Sequence, residues 1–202
     1  MIVTIGGNIG CGKTTILSKL KQNTRINVFT EPIEKWGSWL DLFYSDKQRY
    51  SFPFQMKILI DFLYLEKTVE DPLLITERSP QDSLNVFAKA LVDSKDLSYM
   101  EFNLLKEYVD KIGWVPNVYI YVRTSPEICK ARMDARNREC ECGVTLDYLR
   151  VIHDKYESFT SKALEDNKCF LHIVDGTQSA DTVYTEVNRI VESLNHKNIF
   201  TN

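Results

Sequence analysis

The sequence has little that would direct it to a membrane or to nucleic acid. No apolar run approaches the ~20 residues that a bilayer span needs, and Met1 leads into a strand-like segment rather than a signal peptide. The 25 basic and 28 acidic residues leave a formal net charge of −3. There is no global basic field to attract phosphate backbones or lipid headgroups. We therefore expect a cytoplasmic protein with no nucleic-acid or membrane partner.

Cysteine is scarce and is not arranged as a disulfide framework. Five cysteines are an odd number, and a chain of 202 residues is long enough to bury a core without disulfides. Cys140 and Cys142 form an isolated C-x-C pair with no histidine nearby. We therefore expect thiols in a reducing compartment rather than a zinc site.

Internal repeats, low-complexity tracts and Pro/Gly-rich linkers are absent too, which predicts one domain over residues 1–202. Short apolar runs predict five strands, at Ile2–Ile5, Ile26–Thr30, Leu73–Thr76, Val118–Val122 and Leu171–Val174. The segments between and after them predict helices, at Thr14–Lys21, Phe54–Glu70, Pro80–Val92, Tyr99–Lys111, Pro126–Arg136, Leu146–Leu164 and Ala180–Leu194. This alternation predicts an α/β fold with a parallel sheet covered on both faces. Ligands of such sheets bind beyond the carboxyl ends of the strands.

A complete G-x-x-x-x-G-K-[ST] motif follows the first strand. It comprises Gly7, Asn8, Ile9, Gly10, Cys11, Gly12, Lys13 and Thr14. Glycines let successive backbone N–H groups surround a phosphate, and the following helix adds its positive end. Lys13 would reach the β- and γ-phosphates, and the Thr14 hydroxyl would ligate Mg²⁺. The position between a strand and a helix argues against a chance match.

Charged side chains follow the second and third strands. Glu31, which Pro32 leaves at a strand tip, is suited to take a proton from an attacking hydroxyl, or else to cap the next helix. Glu77 suits Mg²⁺ and Arg78 suits a substrate oxygen. The alternative for this pair is a mutual salt bridge at a helix start, with Ser79 as N-cap.

Two helices carry further candidate residues. Arg132 and Arg136 share a helical face with Arg138 just beyond, and arginines so placed stabilise a transferring phosphoryl group or simply form a charged surface. In the helix after Pro53, the apolar stripe is typical of a core. Gln55 lies on that stripe, where its amide would offer a donor and an acceptor to a nucleobase.

Taken together, these segments closely resemble the deoxynucleoside kinase family. The resemblance rests on GGNIGCGKTT at 6–15, EPIEKW at 31–36, YSDKQRYSFPFQ at 44–55, ERS at 77–79, ARMDARNRECE at 131–141 and LDYLRVIHDKYESF at 146–159. It spans most of the chain in the right order. It implies a P-loop kinase fold with a five-stranded parallel sheet flanked by helices, an arginine-bearing lid, ATP and Mg²⁺ as cofactors, and a homodimer.

The resemblance also implies a role for each matching residue. Glu31 would be the general base for the deoxyribose 5′-hydroxyl, Arg78 would hold that oxygen, and Lys13 would serve transfer. The phosphate loop through Thr15 would bind ATP, with Arg132, Arg136 and Arg138 closing over it, and Thr14 and Glu77 would serve Mg²⁺. The nucleoside would be bound by Glu31, Arg78, Tyr44 and Glu141 at the sugar and by Gln55, Trp36, Ile58, Phe62, Ser83 and Phe87 around the base.

Departures from the family pattern bear on the substrate. Relatives that accept cytosine or purines well often carry an arginine seven residues after the glutamine and an aspartate six after the ERS glutamate. Phe62 and Ser83 stand there, which indicates the thymidine-accepting branch and predicts thymidine or deoxycytidine as acceptor. Phe62 would narrow the base slot near a 5-methyl group. Asp82 lies one residue from the expected position, so a shift in alignment would bring it into the pocket.

Three alternatives remain. A thymidylate kinase shares the phosphate loop and lid, but the charge of Glu31 would repel an acceptor phosphate beside it. A catalytically silent subunit is expected to lack Lys13, Glu31 or Arg78, and all three are present. A P-loop switch protein would carry a guanine-specificity motif, and no segment resembles one.

Overall fold

Five parallel strands form the centre of the protein. The computed structural model describes residues 1–22, 26–66, 73–138, 141, 143–166 and 169–199. The strands are β1 (Ile2–Gly6), β2 (Asn27–Phe29), β3 (Leu74–Glu77), β4 (Val118–Arg123) and β5 (Phe170–Asp175), in the spatial order β2-β3-β1-β4-β5. The predicted five-stranded parallel sheet is confirmed, with each strand end within two residues of its expected position.

The helices cover both faces of this sheet. They are α1 (Lys13–Leu20), α2 (Ile33–Ser45), α3 (Lys47–Glu66), α4 (Pro80–Asp82), α5 (Lys89–Asp93), α6 (Tyr99–Ile112), α7 (Pro126–Arg136), α8 (Leu146–Asp166) and α9 (Ala180–Ile199). A π-helical segment, Ser83–Ala88, joins α4 to α5 without a break. The helix predicted at Pro80–Val92 is therefore three helical segments in succession.

The structure corrects the predicted helices in two places. The sequence did not predict a helix over the residues of α2, although α2 supplies a wall of the site described below. α3 begins at Lys47, well before the predicted Phe54, and contains Pro53 in its interior. Pro53 has no N–H for the helix, but it continues α3 rather than starting it. Residues 67–70, the end of that predicted helix, lie outside the described residues.

Alternating side chains of the strands divide the core between the two faces. Ile120 and Val122 of β4 belong to a cluster with α1 and α9. Tyr119 and Tyr121, one residue out of step, pack instead with α8 and the π-helical segment. A separate cluster joins α2, α3, α5 and α6. Side chains of α2 and α3, which share this cluster, also line a cleft at the strand ends.

No helix within the described ranges combines the length and apolar character that a bilayer crossing demands.

Candidate active site

One cleft opens at the carboxyl ends of the strands and encloses about 1060 Å³, including space open to solvent. Its phosphate side is lined by Ile9, Gly10, Gly12, Lys13, Thr14, Thr15, Glu77, Arg136 and Arg138. Its acceptor side is lined by Glu31, Ile33, Trp36, Leu40, Phe43, Tyr44, Phe54, Gln55, Ile58, Phe62, Arg78, Ser83, Phe87, Glu141, Val144 and Tyr148. We use these two names, phosphate side and acceptor side, for the two halves of the cleft.

The phosphate side is shaped by backbone conformation. Gly10 and Gly12 have φ values of 79° and 105°, in a region that residues with a Cβ rarely adopt. A Cβ on Gly10 would also lie 2.5 Å from the backbone oxygen of Cys129. Gly12 caps α1, so the first N–H groups of that helix point into the loop. The loop therefore has the geometry of an anion cradle.

Lys13 is buried against this loop. Its Nζ donates to the carbonyl oxygens of Gly7 at 3.0 Å and Asn8 at 2.8 Å. The Asn8 side chain in turn donates to the Leu149 carbonyl of α8 at 2.8 Å, which ties the loop to the rest of the domain. An ammonium group held among carbonyls at the start of α1 is available to an incoming phosphate.

Thr14 and Glu77 meet at the base of the phosphate side. The Thr14 hydroxyl donates to Glu77 Oε1 at 3.1 Å, and Glu77 is only 5% exposed. A hydroxyl and a carboxylate are oxygen ligands of the kind that Mg²⁺ prefers, and this ion commonly takes its remaining ligands from water and substrate phosphates. The pair therefore fits a magnesium ion held partly by a bound nucleotide.

Glu31 and Arg78 form a buried ion pair on the acceptor side, between Arg78 Nη1 and Glu31 Oε2. Arg78 has a φ of 60°, a left-handed conformation that is uncommon for a residue with a side chain. Its Nη2 donates to the Gly7 carbonyl at 3.4 Å, and its guanidinium lies 4.9 Å from the centre of the Phe87 ring. Backbone strain of this kind is concentrated at functional sites.

The environment of Glu31 favours proton exchange. Burial raises the pKa of Glu31 above its ordinary value, and Glu77 adds to this, while Arg78 and Lys13 oppose it. Burial alone would lower the pKa of Arg78, but Glu31 raises it above its usual value, so the guanidinium stays charged. A carboxylate with a raised pKa, next to a fixed cation, is equipped to accept a proton from a hydroxyl.

Gln55 and Ser83 form a neutral hydrogen-bonded pair deeper on the acceptor side. The Ser83 hydroxyl donates to Gln55 Oε1 at 2.7 Å, and both residues are buried. Asp82 does not line the cleft. It is fully buried on a face of the helix turned away from the cleft, where its carboxylate accepts from the hydroxyls of Ser79, Tyr119 and Tyr156. The possible shift that would bring Asp82 into the pocket is therefore excluded.

Aromatic and aliphatic side chains form the walls around this pair. Trp36 directs its Nε1–H to Asp61 at 2.7 Å and so presents apolar surface to the cleft. Phe62, 2% exposed, packs on Phe29 and Trp114 with ring centres 6.0 Å and 6.1 Å away. This deeper part of the acceptor side is consequently apolar apart from Gln55 and Ser83.

The predicted lid arginines divide into two groups. Arg136 donates to both carboxylate oxygens of Glu141, at 2.5 and 2.6 Å, and Arg138 lies 3.8 Å from the same carboxylate. Arg132 does not line the cleft. Its guanidinium donates to the carbonyls of Gly176, Cys11 and Gln178, so it connects α7 to the phosphate loop and to the loop after β5.

Most of the predicted residues are brought together in the cleft. All ten predicted acceptor residues line it. On the phosphate side, Gly7, Asn8, Cys11 and Arg132 lie behind the lining. Sequence reasoning missed Ile33, Leu40, Phe43, Phe54, Val144 and Tyr148. Most of these belong to α2 or to segments quoted only as family motifs, and the apolar spacing 33, 36, 40 and 43 was the available signal for α2.

Comparison with known proteins agrees with this geometry. The family model described as deoxynucleoside kinase matches residues 3–199. The chain is 33% identical over 195 residues to a putative kinase of invertebrate iridescent virus 3, covering 96% of this chain and 97% of that one. It is 30% identical to the thymidine kinase of Ictalurid herpesvirus 1 over 207 residues, covering 96% and 86%. A probable deoxycytidine kinase of fowlpox virus is 36% identical over 172 residues, covering 79% and 72%.

A solved structure shares the fold. The deoxyadenosine kinase of M. mycoides, with products dCMP and dCDP bound, superimposes with a TM-score of 0.85 at 21% identity, over 96% of this chain and all of that one. The P-loop kinase fold is thereby confirmed. The family match covers almost the whole length, and the acceptor side holds a carboxylate suited to accept a proton. The chain therefore belongs to the deoxynucleoside kinase family and is an ATP-dependent phosphotransferase acting on deoxynucleosides.

Proposed function

We propose that this kinase transfers the γ-phosphate of ATP to the 5′-hydroxyl of a pyrimidine deoxynucleoside, thymidine or deoxycytidine, in nucleotide salvage. The observation that carries the pyrimidine preference is the neutral Gln55–Ser83 pair at the base end of the cleft. Relatives that accept cytosine or purines well often hold an arginine and an aspartate at these positions, where this chain has Phe62 and Ser83.

Glu31 serves as the general base in this proposal. Its carboxylate takes the proton of the 5′-hydroxyl as that oxygen attacks the γ-phosphorus, and the bond to the ADP leaving oxygen breaks. Arg78 holds the attacking oxygen and keeps Glu31 ionised. Lys13 leaves the Gly7 and Asn8 carbonyls for the phosphates and offsets the charge that develops on the leaving group.

The remaining nucleotide contacts follow from the phosphate side. Backbone N–H groups from Gly7 to Thr15 surround the β-phosphate, with Thr14 and Glu77 holding Mg²⁺, which would neutralise charge on the phosphates. Arg136 and Arg138 exchange part of their contact with Glu141 for the triphosphate. Arg132 acts from behind the loop, since its guanidinium is committed to three carbonyls.

The deoxyribose fits between Tyr44 and Glu141. Both line the acceptor side, and Tyr44 packs against Phe43 with ring centres 5.1 Å apart. A phenol and a carboxylate are able to bond the 3′-hydroxyl from two directions. Ile58, Phe87 and Trp36 then enclose the base.

The chemistry of Gln55 supports acceptance of both pyrimidines. Thymine offers N3–H and O4, whereas cytosine offers N3 and an amino group, so a glutamine amide must turn over to pair with one or the other. The Ser83 hydroxyl donates to an oxygen or accepts from an amide nitrogen equally well. Either orientation of Gln55 therefore keeps its bond to Ser83.

An ATP/Mg²⁺ assay with the four deoxynucleosides and thymidylate tests the proposal directly. We expect turnover of thymidine and deoxycytidine, with thymidylate at background. Turnover of purines alone would refute the base-pocket argument while leaving the enzyme class intact. Turnover of thymidylate alone would refute the role of Glu31 and favour a monophosphate kinase.

We further propose that the chain is one domain, residues 1–202, that works as a cytoplasmic homodimer. The helices α3 and α6 pack against each other, and exposed apolar residues on both support a second copy of the chain as partner. These residues are Tyr99, Met100, Leu104 and Ile60. Leu104→Glu is expected to yield monomers in size-exclusion chromatography with light scattering. Val115→Glu, at a similarly exposed apolar site outside these helices, is the control. A monomeric wild type would contradict the dimer.

A further inference from the structure

Arg78 is also held through Nε, whose partner does not line the cleft. Nη1 and Nη2 donate to Glu31 and to the Gly7 carbonyl, and Nε donates to the hydroxyl of Tyr156 at 3.2 Å. A planar guanidinium bonded at Nε as well as at its two Nη atoms cannot rotate about its own axis without losing a bond. The Nε contact therefore sets the direction in which Nη1 reaches Glu31.

Tyr156 is itself tightly held. It is fully buried on α8, stacked on Tyr121 with ring centres 5.5 Å apart and an interplanar angle of 16°, and in edge contact with Phe87. Its hydroxyl lies 3.0 Å from Asp82 Oδ1. A phenol has a single proton, so the bond that it donates to Asp82 leaves its oxygen free to accept from Arg78.

Asp82 determines which way that proton points. Its carboxylate is 0% exposed, and Oδ1 also accepts from Tyr119 while Oδ2 accepts from Ser79 at 2.6 Å. Among the described residues, the Asp82 carboxylate is hydrogen-bonded by the hydroxyls of Ser79, Tyr119 and Tyr156, each of which is able to donate to it. A carboxylate that accepts from hydroxyls in this way fixes the direction of the chain of bonds from Arg78 through Tyr156 to Asp82.

We propose that Tyr156 is a positioning residue for phosphoryl transfer, and that Asp82 orients its hydroxyl so that Arg78 is held against Glu31 from behind the cleft. The inference rests on the proposed roles of Glu31 and Arg78. It adds Tyr156, which lies on α8, far in sequence from Arg78 and Asp82, and outside the residues that line the cleft. Deleting one hydroxyl would loosen Arg78 without changing any lining side chain.

The chain provides a matched control for this hydroxyl. Tyr156→Phe and Tyr119→Phe each remove one donor to the same oxygen of Asp82, and both tyrosines are buried. Only Tyr156 also contacts Arg78. We expect similar losses in melting temperature for the two variants, but a fall of about tenfold in kcat for Tyr156→Phe alone, because a bond to a charged group is lost. The KM for thymidine is expected to change by less than about twofold for both.

The pH profile separates positioning from general destabilisation. Glu31 faces Arg78 and Glu77 from β3 and its end, and Lys13 from α1. Arg78 holds the pKa of Glu31 down against burial, so a loosened Arg78 lets that pKa rise. The acidic limb of kcat should therefore move to higher pH in Tyr156→Phe and stay in place in Tyr119→Phe.

The outcomes are distinct. Equal kcat values in the two variants, or an unmoved acidic limb in Tyr156→Phe, would overturn the positioning role. If Tyr156→Phe folds too poorly to assay, Asp82→Asn replaces it, because this change keeps the size of the side chain but weakens the acceptor of the Tyr156 hydroxyl. We expect a loss of about threefold in kcat with the same shift of the acidic limb. Wild-type behaviour of Asp82→Asn would overturn the proposal. Arg78→Gln separates a failure of this inference from a failure of the proposed function. Full activity in that variant would refute the proposed catalytic role of Arg78 itself.

Discussion

The two sides of the cleft are built in different ways. The phosphate side comes mainly from one segment, residues 9–15, and depends on backbone conformation at Gly10 and Gly12. The acceptor side is assembled from the ends of β2 and β3, from α2 and α3, and from the π-helical segment. A site made of backbone serves any nucleotide with phosphates, whereas a site made of side chains distinguishes one acceptor from another. The contrast predicts that substitutions on the two sides will have different kinetic signatures.

The largest effect is expected where the two sides meet, at Glu31. Glu31→Gln keeps the size of the side chain but removes the base, so kcat should fall by about 10²–10⁴-fold. Binding of a non-hydrolysable ATP analogue, followed by calorimetry, should stay close to wild type, since the phosphate loop is untouched. Glu34→Gln, an exposed neighbour on α2, is the control. Unchanged turnover in Glu31→Gln would refute the base assignment.

Lys13→Ala tests the phosphate side alone. Nζ bonds the loop carbonyls of Gly7 and Asn8, so its loss removes both a phosphate ligand and a hold on the loop. We expect kcat to fall by about 10²–10³-fold, with weaker ATP binding, to the same extent for every acceptor. Lys19→Ala, in the last turn of α1, where the side chain pairs with Asp181 rather than with the loop, should behave as wild type. A loss that differs between thymidine and deoxycytidine would break the proposed separation of the two sides.

Gln55→Ala tests the acceptor side alone. The base edge would be buried without its partner, so kcat/KM for the nucleoside should fall by about 100-fold while the KM for ATP is unchanged. Gln48→Ala, on an exposed position of the same helix, is the matched control. A parallel rise in the KM for ATP would show that the sides are coupled through α3.

The sequence predicts the phosphate side more completely than the acceptor side. The phosphate loop is local, so its conformation was predictable from glycine spacing. The acceptor side depends on contacts between distant segments, and the missing α2 removed Leu40 and Phe43 from the expected wall. Pro53 suggested a helix start, but the residues before it already continue α3.

The choice between Asp82 and Ser83 shows why the acceptor side could not be predicted in full from the sequence. Adjacent residues on a helix point about 100° apart, so a single step decides which one faces the cleft. That step depends on where the helix begins after Ser79 and on the π-helical segment that starts at Ser83. Tyr119 and Tyr156, which hold Asp82 inside, come from strands and helices far along the chain.

The smallest expected effect is a change in preference at Ser83. Ser83→Asp replaces a hydroxyl that donates or accepts with a carboxylate that only accepts, so Gln55 must direct its amide nitrogen to it. One pyrimidine then loses its pairing orientation, and the ratio of kcat/KM for thymidine and deoxycytidine should shift by about tenfold or more. Ser83→Ala removes the bond without imposing an orientation, so it should lower both values and leave their ratio near that of the wild type. If Ser83→Asp lowers both equally, the hydroxyl does not control the orientation of Gln55, and selection between the two bases must come from the apolar wall around Phe62.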